Sequence, residues 1–502
     1  MIPIKRITSA MLIITATLCG CSQHDEFVED IDNNPNNLNE VPIVFQLEPN
    51  YSSSTRSVDD SFDPRMGKPE EQQVNNVRIY LFDAPTGLFV KSVFFTKLTD
   101  LATDGFGNRI FETESVLVPQ GTYNIFVTAN TTRVINKKKQ AEFLADIDSL
   151  TYVRGQIEDI SGGILMTNRA IENANTVIQN NTNTSTTTPT ENVVHITLER
   201  VLARLDIAKA YDSFQLTNEN SQLYATVTLD GHYLVNLPKY YYTYRHTSVL
   251  TSLDVPAWNL NNNFGTVNDV NGYVIDPYFF NKTIDATTFN NSDKYYVNFF
   301  GDYNKEAVPW SMFLPASGGV PQFKTVYCLE NCALAPAQKM GYTTGVIFRA
   351  ILQPALNSVY QLKNGVLSPL NDPAQYPEVL YYCNYKFYNS AEALAAGIGV
   401  TSLTGADLSA YQAKKFEKTD DGYRCYYTYW IRHLDNFKPS EMGVMEFAIV
   451  RNNWYQMLIS NITGLGYSDL PINTDTPVEG ETYLKVVINV KPWVFRDINV
   501  VL

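Results

Sequence analysis

Apolar and polar residues alternate along much of this chain, with the two-residue period of a β-strand that buries one face. In the first such segment every second residue is apolar, and these four residues are Val41, Ile43, Phe45 and Leu47. Comparable segments recur to the end of the chain, at 77–82, 88–95, 123–127, 193–208, 224–229, 344–352, 423–431, 455–462 and 483–490. The pattern predicts a chain built mainly of β-strands.

Two short segments have the spacing of helices instead. In 137–150 the apolar positions fall three or four residues apart, at Phe143, Leu144, Ile147 and Leu150. In 390–396, Ser390 can cap a helix and Glu392 suits its first turn. Composition agrees, because aromatic residues make up 13% of the chain against 18% charged residues, and aromatic residues favour pleated sheet. We therefore expect an all-β fold with a few short helices.

The length of 502 residues predicts two or three domains, because one small core cannot accommodate such a chain. The boundary is expected near 210–216, after the long strand-like segment that ends at Ala208. Residues 22–40 are rich in Asp, Glu and Asn, so they predict a polar tether with little to bury. The segment 180–192, rich in Asn and Thr, predicts a low-complexity loop.

The first residues read as a targeting segment. A basic start precedes an apolar run from 7 to 18 that is too short to span a bilayer, and the run ends in Leu18-Cys19-Gly20-Cys21. The pattern predicts a lipoprotein signal peptide, 1–20, that is cut before Cys21, whose thiol and new amino group then carry acyl chains. The alternative is an ordinary secretory signal with an incidental cysteine.

The acidic charge of the chain limits its partners. The chain has 38 Lys and Arg against 52 Asp and Glu, a formal charge of −14, and removing Lys5 and Arg6 with the signal takes it to −16. Such a charge repels phosphate backbones and anionic headgroups, so we expect no nucleic acid partner, and we expect membrane attachment through lipid alone. No second apolar stretch of spanning length follows Cys21 in the sequence.

No sequence motif indicates catalysis. None of the five His residues has zincin spacing, and the sequence lacks Gly-x-Ser-x-Gly, a phosphate-cradling Gly-rich loop and a dinucleotide fingerprint. We expect neither an enzyme nor a cofactor. The aromatic run Tyr240-Tyr241-Tyr242-Thr243-Tyr244 could be a stacking platform for a sugar or a single-stranded nucleic acid. A strand with aromatic residues on both faces is the simpler interpretation.

Four cysteines follow the signal and are candidates for disulfides: Cys328, Cys332, Cys383 and Cys425. An exported protein can oxidise its cysteines, and four of them permit three pairings. Cys328 and Cys332 can bond to each other only in a turn or helix, because four residues along a strand separate them by about 13 Å. Zinc sites also use Cys-x3-Cys, but no nearby His or Cys completes a tetrahedral set, so we expect no metal.

Both ends of the chain after the signal are strand-like and separable from the rest. The polar stretch 51–60 follows the first strand and contains Arg56-Ser57, an exposed protease target, with Arg65 as a rival site. Near the other end, Pro492 bends the path after the strand at 483–490. The segment 493–502 then offers Trp493, Phe495, Ile498, Val500 and Leu502. It predicts a detachable terminal strand, and pairing within its own domain is the alternative.

Short motifs in a specific order give the chain a family resemblance. They are the Cys21 signal, the loop ending Ser54-Thr55-Arg56, Leu198-Glu199-Arg200-Val201-Leu202-Ala203-Arg204, Tyr327-Cys328-Leu329-Glu330-Asn331, Val450-Arg451-Asn452-Asn453-Trp454-Tyr455, Ile462-Thr463-Gly464-Leu465-Gly466 and Val490-Lys491-Pro492-Trp493. They span most of the chain, which resembles the type V fimbrial shaft pilins of Bacteroidales, the short-fimbria subunits most of all. Cys332 departs from the family pattern, which has no second cysteine there.

The resemblance implies two transthyretin-like β-sandwich domains, 57–212 and 213–502, and assembly by strand exchange. It implies that an outer-membrane lipoprotein precursor loses its propeptide, 21–56, when an arginine-specific protease cuts between Arg56 and Ser57. The first strand would leave with the propeptide, and the emptied groove would accept 493–502 of another copy in a head-to-tail filament. Anchor and tip subunits would complete a surface fimbrium that supports adhesion, biofilm formation or colonisation.

Three rival functions differ from that of a shaft subunit. An anchor subunit would keep its first strand and lack a usable cleavage loop, and a tip subunit would add binding modules. A monomeric surface lipoprotein that binds glycans through aromatic platforms would be trimmed by arginine-specific digestion without forming polymers. The polar loop around Arg56 favours the shaft subunit over the anchor subunit.

Overall fold

β-Strands dominate the structure. A computed structural model describes residues 40–49, 68–101, 109–150, 160–169, 173–179, 192–250, 256–257, 273–278, 295–333, 337–403, 407–433, 446–478 and 483–492. The strands of these residues are β1 (Glu40–Glu48), β2 (Val77–Asp83), β3 (Phe89–Phe95), β4 (Leu98–Leu101), β5 (Ile110–Thr113), β6 (Val116–Pro119), β7 (Gly121–Ala129), β8 (Ile147–Ser149), β9 (Met166–Asn168), β10 (Thr176–Ile178), β11 (Asn192–Arg200), β12 (Ala203–Lys209), β13 (Phe214–Thr217), β14 (Leu223–Val235), β15 (Leu237–Pro238), β16 (Tyr240–Tyr242), β17 (His246–Leu250), β18 (Pro256–Ala257), β19 (Tyr273–Ile275), β20 (Tyr296–Val297), β21 (Ser311–Met312), β22 (Lys324–Cys328), β23 (Gly345–Pro354), β24 (Val359–Lys363), β25 (Val366–Pro369), β26 (Val379–Cys383), β27 (Lys386–Tyr388), β28 (Lys414–Thr419), β29 (Gly422–Trp430), β30 (Asn453–Ile462) and β31 (Leu484–Pro492).

The helices of the described residues are short. They are α1 (Gln140–Leu144), α2 (Ala391–Ile398) and α3 (Asp407–Ala410), with 3-10 turns at Pro69–Gln72, Phe300–Asp302 and Pro373–Gln375. The predicted all-β fold with a few short helices is confirmed. No helix within the described ranges is both long enough and apolar enough to cross a membrane.

The first sheet contains β1 in its interior. Its strand order is β3-β2-β7-β9-β11-β1-β5-β4, with β10 paired to β7 and β6 paired to β1. The buried face of this sheet forms one apolar cluster, to which β2 contributes Ile79, β7 contributes Ile125 and β11 contributes Ile196. The first strand of the chain therefore helps to close the core of this sheet.

Two further sheets face each other across a second apolar cluster. One has the order β22-β12-β30-β31, and the other has the order β13-β14-β23-β29-β28-β26-β27-β24-β25 with β21 on β14. Leu205 of β12 and Met457 of β30 come from the smaller sheet, and Val227 of β14 and Phe348 of β23 come from the larger one. Side chains from two sheets thus share one interior, as in a β-sandwich.

The chain passes from the first sheet to the second between β11 and β12. The segment 193–208, predicted as one strand, is two strands separated by the buried residues Val201 and Leu202. The predicted boundary at 212/213 assigns β12 to the first domain, although β12 pairs with β22 and β30. Contacts unite 39–502 as one compact unit, so the division into two domains stays a prediction.

One predicted helix is confirmed and the other is shorter than predicted. The hydroxyl of Ser390 accepts a hydrogen bond from the Ala393 amide (3.1 Å) at the start of α2, and Gly399 ends the helix with a φ of 79°. The predicted helix at 137–150 is wrong beyond Leu144, because β8 follows and pairs with the distant β16. Pairing between segments far apart in sequence overrides the local helical spacing there.

Candidate functional site

β1 is bonded along both of its edges. Residues Ile43–Glu48 pair in parallel with Asn192–Thr197 of β11. On the other side, β1 pairs antiparallel with β6 and β5. Pro42 lies before the first residue of β1 that pairs with β11, so at this residue β1 pairs with β6 alone. Proline has no backbone N–H to donate, and this position does not require one toward β11. Loss of β1 would expose two ladder edges rather than one.

The four alternating side chains of β1 lie in the core, as the sequence pattern predicts. Val41, Ile43, Phe45 and Leu47 are 0–3% exposed and join the apolar cluster of the first sheet. Val44, which points to the opposite face, is also buried. Hydrogen bonds to side chains include one from the Phe45 amide to Thr113 Oγ1 (3.1 Å) and one from Gln46 Nε2 to Glu112 Oε2 (2.8 Å). Apolar packing and backbone pairing dominate the contacts of this strand.

A buried carboxylate lies just after the polar segment 50–67, which follows β1 in the sequence. Glu71, in the 3-10 turn Pro69–Gln72, is 0% exposed. Its Oε2 and Oε1 accept hydrogen bonds from Arg204 Nη1 (3.0 and 3.1 Å), and its Oε1 also accepts one from the Tyr327 hydroxyl (2.6 Å). Its carbonyl oxygen accepts one from Arg200 Nε (2.8 Å). We call Glu71, Arg200, Arg204 and Tyr327 the Glu71 anchor.

Two neighbours of the Glu71 anchor complete its environment. Arg204 makes a fork-like pair with Asp206 (3.0 and 2.9 Å) and lies 4.0 Å from the centre of the Trp454 ring. Trp454 in turn donates its ring N–H to Asp206 (2.9 Å). Burial lowers the pKa of Arg200 to about 10, yet that value leaves the side chain charged at neutral pH.

Two of the family motifs, 327–331 and 450–455, are joined by a second buried ion pair. Arg451 and Glu330 are both 0% exposed and form two hydrogen bonds, Nε to Oε2 (2.8 Å) and Nη2 to Oε1 (2.5 Å). Arg451 also donates to the carbonyl oxygen of Tyr242 (2.7 Å). Burial raises the pKa of Glu330, an effect that Arg451 opposes.

Three of the motifs that suggested the family therefore meet through these charges. Asn452 Oδ1 accepts a hydrogen bond from the Arg200 amide (3.2 Å), so the motif around Arg451 contacts the motif at the end of β11. The third motif, 327–331, joins them through the hydrogen bond from the Tyr327 hydroxyl to Glu71. Sequence reasoning missed Glu71, although Pro69-Glu70-Glu71 after a polar loop is a helix-start signal. Nothing local in the sequence indicated its partners.

Several predicted site residues lie outside the described residues. They are the lipidation residue Cys21, the cleavage pair Arg56 and Ser57, the rival Arg65, and the terminal-strand residues Trp493, Phe495, Ile498, Val500 and Leu502. Their predicted roles stay predictions. β31 ends at Pro492, immediately before the terminal segment, and it pairs antiparallel with β30.

The disulfides suggested by the sequence are not formed in this structure. Cys328, Cys332, Cys383 and Cys425 are all buried thiols. Cys332 Sγ donates to the Ile449 carbonyl and Cys383 Sγ donates to the Tyr411 carbonyl, each at 3.5 Å, so these two thiols point at backbone oxygens. Burial raises the pKa of Cys425 to about 12. Among the described residues, no group of three His, Cys, Asp or Glu side chains is placed to hold a metal ion.

The aromatic run at 240–244 belongs to the interior. Tyr241, Tyr242 and Tyr244 are buried, and Tyr242 stacks on His246 with ring centres 3.6 Å apart. Tyr240 is 36% exposed. The simpler interpretation, a strand with aromatic residues on both faces, therefore fits better than a stacking platform.

Two family models match the chain. The model described as "Major fimbrial subunit protein (FimA)" matches residues 53–200, which end with the last residue of β11. The model described as "Major fimbrial subunit protein type IV, Fimbrillin, C-terminal" matches residues 421–499. The fold and these matches define the class of the protein, a structural subunit of cell-surface fimbriae. Within that class, the two matches support the resemblance to the type V fimbrial pilins of Bacteroidales.

Solved structures resemble the chain weakly. A fimbrilin (FimA) from Porphyromonas gingivalis W83 aligns with a TM-score of 0.42 and 16% identity, over 91% of this chain and 98% of that one. The tip fimbrial protein Mfa3 from Porphyromonas gingivalis aligns with a TM-score of 0.37 and 11% identity, over 90% of this chain and 100% of that one. No curated protein matches the chain in sequence.

Proposed function

We propose that this chain is a shaft subunit of its fimbrium and that it polymerises by protease-licensed strand exchange. Lipid on Cys21 holds the precursor at the outer membrane until an arginine-specific protease cuts between Arg56 and Ser57. The propeptide then leaves with β1. The segment 493–502 of another copy takes the place of β1. The observation that carries this proposal is the interior position of β1, with its core side chains, directly before a polar loop.

The free-energy cost of losing β1 drives the second step. Four buried apolar side chains contribute about 1.5–3 kcal/mol each, so their loss costs on the order of 6–12 kcal/mol. The two unpaired ladder edges add to this cost. A strand from a neighbouring copy restores both the apolar packing and the backbone hydrogen bonds, by β-augmentation.

The terminal segment has the side-chain spacing that the groove requires. Ile498, Val500 and Leu502 recur every second residue, which is also the spacing of the buried side chains of β1. Donor segment and groove are different surfaces of the subunit, so the contact is head-to-tail and does not close on itself. The product is a filament, to which anchor and tip subunits attach at the ends.

The test is the N-terminal sequence of polymer sheared from intact cells. Polymer that starts at Ser57 supports processing at Arg56. The matched variant is Arg56→Lys, which keeps the positive charge but removes the residue that an arginine-specific protease recognises. We expect Arg56→Lys to leave the precursor monomeric and Arg65→Lys to polymerise as the wild type does. Monomeric material that begins at lipidated Cys21 would contradict the shaft assignment and would favour an anchor subunit or a glycan-binding lipoprotein.

A further inference from the structure

The first turn after the polar loop is fixed to the rest of the protein. The Lys68 amide donates to Glu71 Oε2 (2.6 Å), and Lys68 Nζ donates to Thr325 Oγ1 (3.1 Å) on β22. Glu71 and Gln72 are 0% and 3% exposed. The turn precedes β2 directly and stays covalently joined to it after any cut within 50–67. After a cut between Arg56 and Ser57, the segment 57–67 would precede Lys68, where the contacts of the retained chain begin.

β11, which would form one wall of the groove, pairs with different strands along its length. Residues Asn192–Thr197 of β11 pair with β1, and residues Leu198–Arg200 pair with β9. When β1 leaves, the first part of β11 loses the strand that pairs with it, while the last part keeps β9. The position of β11 then depends on how firmly its final residues are held.

Glu71 contacts the final residue of that strand, Arg200, which Asn452 also binds. The Glu71 carbonyl oxygen accepts a hydrogen bond from Arg200 Nε (2.8 Å), and the Glu71 carboxylate binds Arg204, four residues further along the chain. Both arginines are nearly or fully buried, so water does not screen these contacts. Glu71 thus joins the start of the retained chain to the end of the groove wall.

We propose that Glu71 is a positioning residue for strand exchange, one that keeps β11 in place in the subunit that has lost β1. This inference rests on the proposed function. An incoming donor strand then meets a wall that is already ordered, and binding does not have to supply the cost of ordering it. Because Lys68 takes part in these contacts, the removable segment has to end before Lys68.

The experiment compares Glu71→Gln with Glu70→Gln, its exposed neighbour in the same turn. Glu71→Gln keeps the backbone carbonyl that binds Arg200 but removes the carboxylate charge that fixes the turn to Arg204. Hydrogen exchange of amides 192–200 is measured in the intact precursor and in the chain after arginine-specific cutting and removal of β1. We expect exchange at least ten-fold faster in cut Glu71→Gln than in the cut wild type, and less than three-fold faster in the intact precursor. A synthetic peptide of residues 493–502 should bind cut Glu71→Gln at least ten-fold more weakly. Glu70→Gln should match the wild type throughout.

A milder variant covers the case in which Glu71→Gln does not fold. Tyr327→Phe removes one hydrogen bond to the carboxylate and changes the volume of the side chain little, so it should produce changes of the same direction and about three-fold size. Variants that match the wild type in a chain that does exchange its strand would overturn the role of Glu71 alone. A wild-type chain that keeps β1 after cutting would overturn the proposed function as well.

Discussion

β1 and the Glu71 anchor lie on either side of the same polar loop, yet they are held by different kinds of interaction. β1 is held by apolar side chains and backbone pairing, and any strand with apolar residues at every second position can supply both. The Glu71 anchor is held by buried charged hydrogen bonds whose donors and acceptors must match in position. Another strand with apolar residues at every second position could therefore replace β1, whereas the Glu71 anchor requires its own four residues.

The difference suits the proposed cut between the two regions. Apolar burial is non-directional and roughly proportional to area, so a donor strand can substitute for β1 without matching it residue for residue. A buried ion pair that loses one partner leaves an uncompensated charge in the interior. The proposed cut would therefore separate a part that another copy could supply from a part that each subunit must retain.

The largest effect is expected from Arg204→Met. It leaves the buried carboxylates of Glu71 and Asp206 without their shared cation, which should lower the free energy of unfolding by about 5 kcal/mol, the upper end of the range for breaking a buried pair. Urea unfolding should show this loss in the precursor and in the cut chain alike. Arg109→Met, which breaks the exposed pair with Asp100, should cost less than about 1 kcal/mol. Equal losses of unfolding free energy in Arg204→Met and Arg109→Met would show that the buried ion pairs of the Glu71 anchor contribute no more than an exposed pair.

Phe45→Ala should act on one form of the chain only. Removing this buried ring from the core should destabilise the precursor by about 3–5 kcal/mol in urea unfolding. The cut chain that has released β1 should have the stability of the cut wild type, because it no longer contains residue 45. A loss of similar size in the cut form would show that β1 stays bound after cleavage. Gln46→Ala, on the opposite face of the strand, is the control.

Local patterns predicted β1 and α2 but not the Glu71 anchor. The alternation of β1 and the cap at Ser390 depend on neighbours in sequence, so both were visible in the sequence. The hydrogen bond between Glu71 and Tyr327 joins residues 256 positions apart, and no local period encodes such a partner. The family motifs include all three of the other anchor residues, Arg200, Arg204 and Tyr327, without indicating what they bind.

The same limit explains the segment after α1. Phe143 and Leu144 are buried in the helix as their spacing predicts, but Ile147 is 46% exposed and lies in β8. The partner strand, β16, is about a hundred residues away, and its own tyrosines were ambiguous in sequence. Where a segment's partner is distant, its period alone does not decide between helix and strand.

Acid should lower the free energy of unfolding through buried histidines that lie outside β1. Burial lowers the pKa values of His232, His246 and His433 to about 3 from the ordinary 6.5. The unfolded chain then binds more protons than the folded chain, so stability that is complete above pH 6.5 falls as the pH drops toward 3. At 1.4 kcal/mol per pKa unit, each histidine should cost about 2 kcal/mol at pH 5.

Single substitutions measure this histidine effect. His232→Phe should remove about 2 kcal/mol of the difference in unfolding free energy between pH 7 and pH 5, by the same linkage. His195→Gln, at an exposed position of β11, is the control. The precursor and the cut chain should lose equal stability in acid, because all three buried histidines lie outside β1. A larger loss in the precursor would mean that acid acts on the strand itself.

The smallest change tests how closely the groove must fit its strand. Ile43→Val removes one methylene from a fully buried position of β1 and should destabilise the precursor by about 0.5–1.5 kcal/mol. Arg204→Lys, an equally conservative change by charge, loses the fork that binds Glu71 and Asp206 and should cost more than Ile43→Val in urea unfolding. If Ile43→Val proved the costlier of the two, β1 would require an individual fit, and a donor segment with different side chains could not replace it.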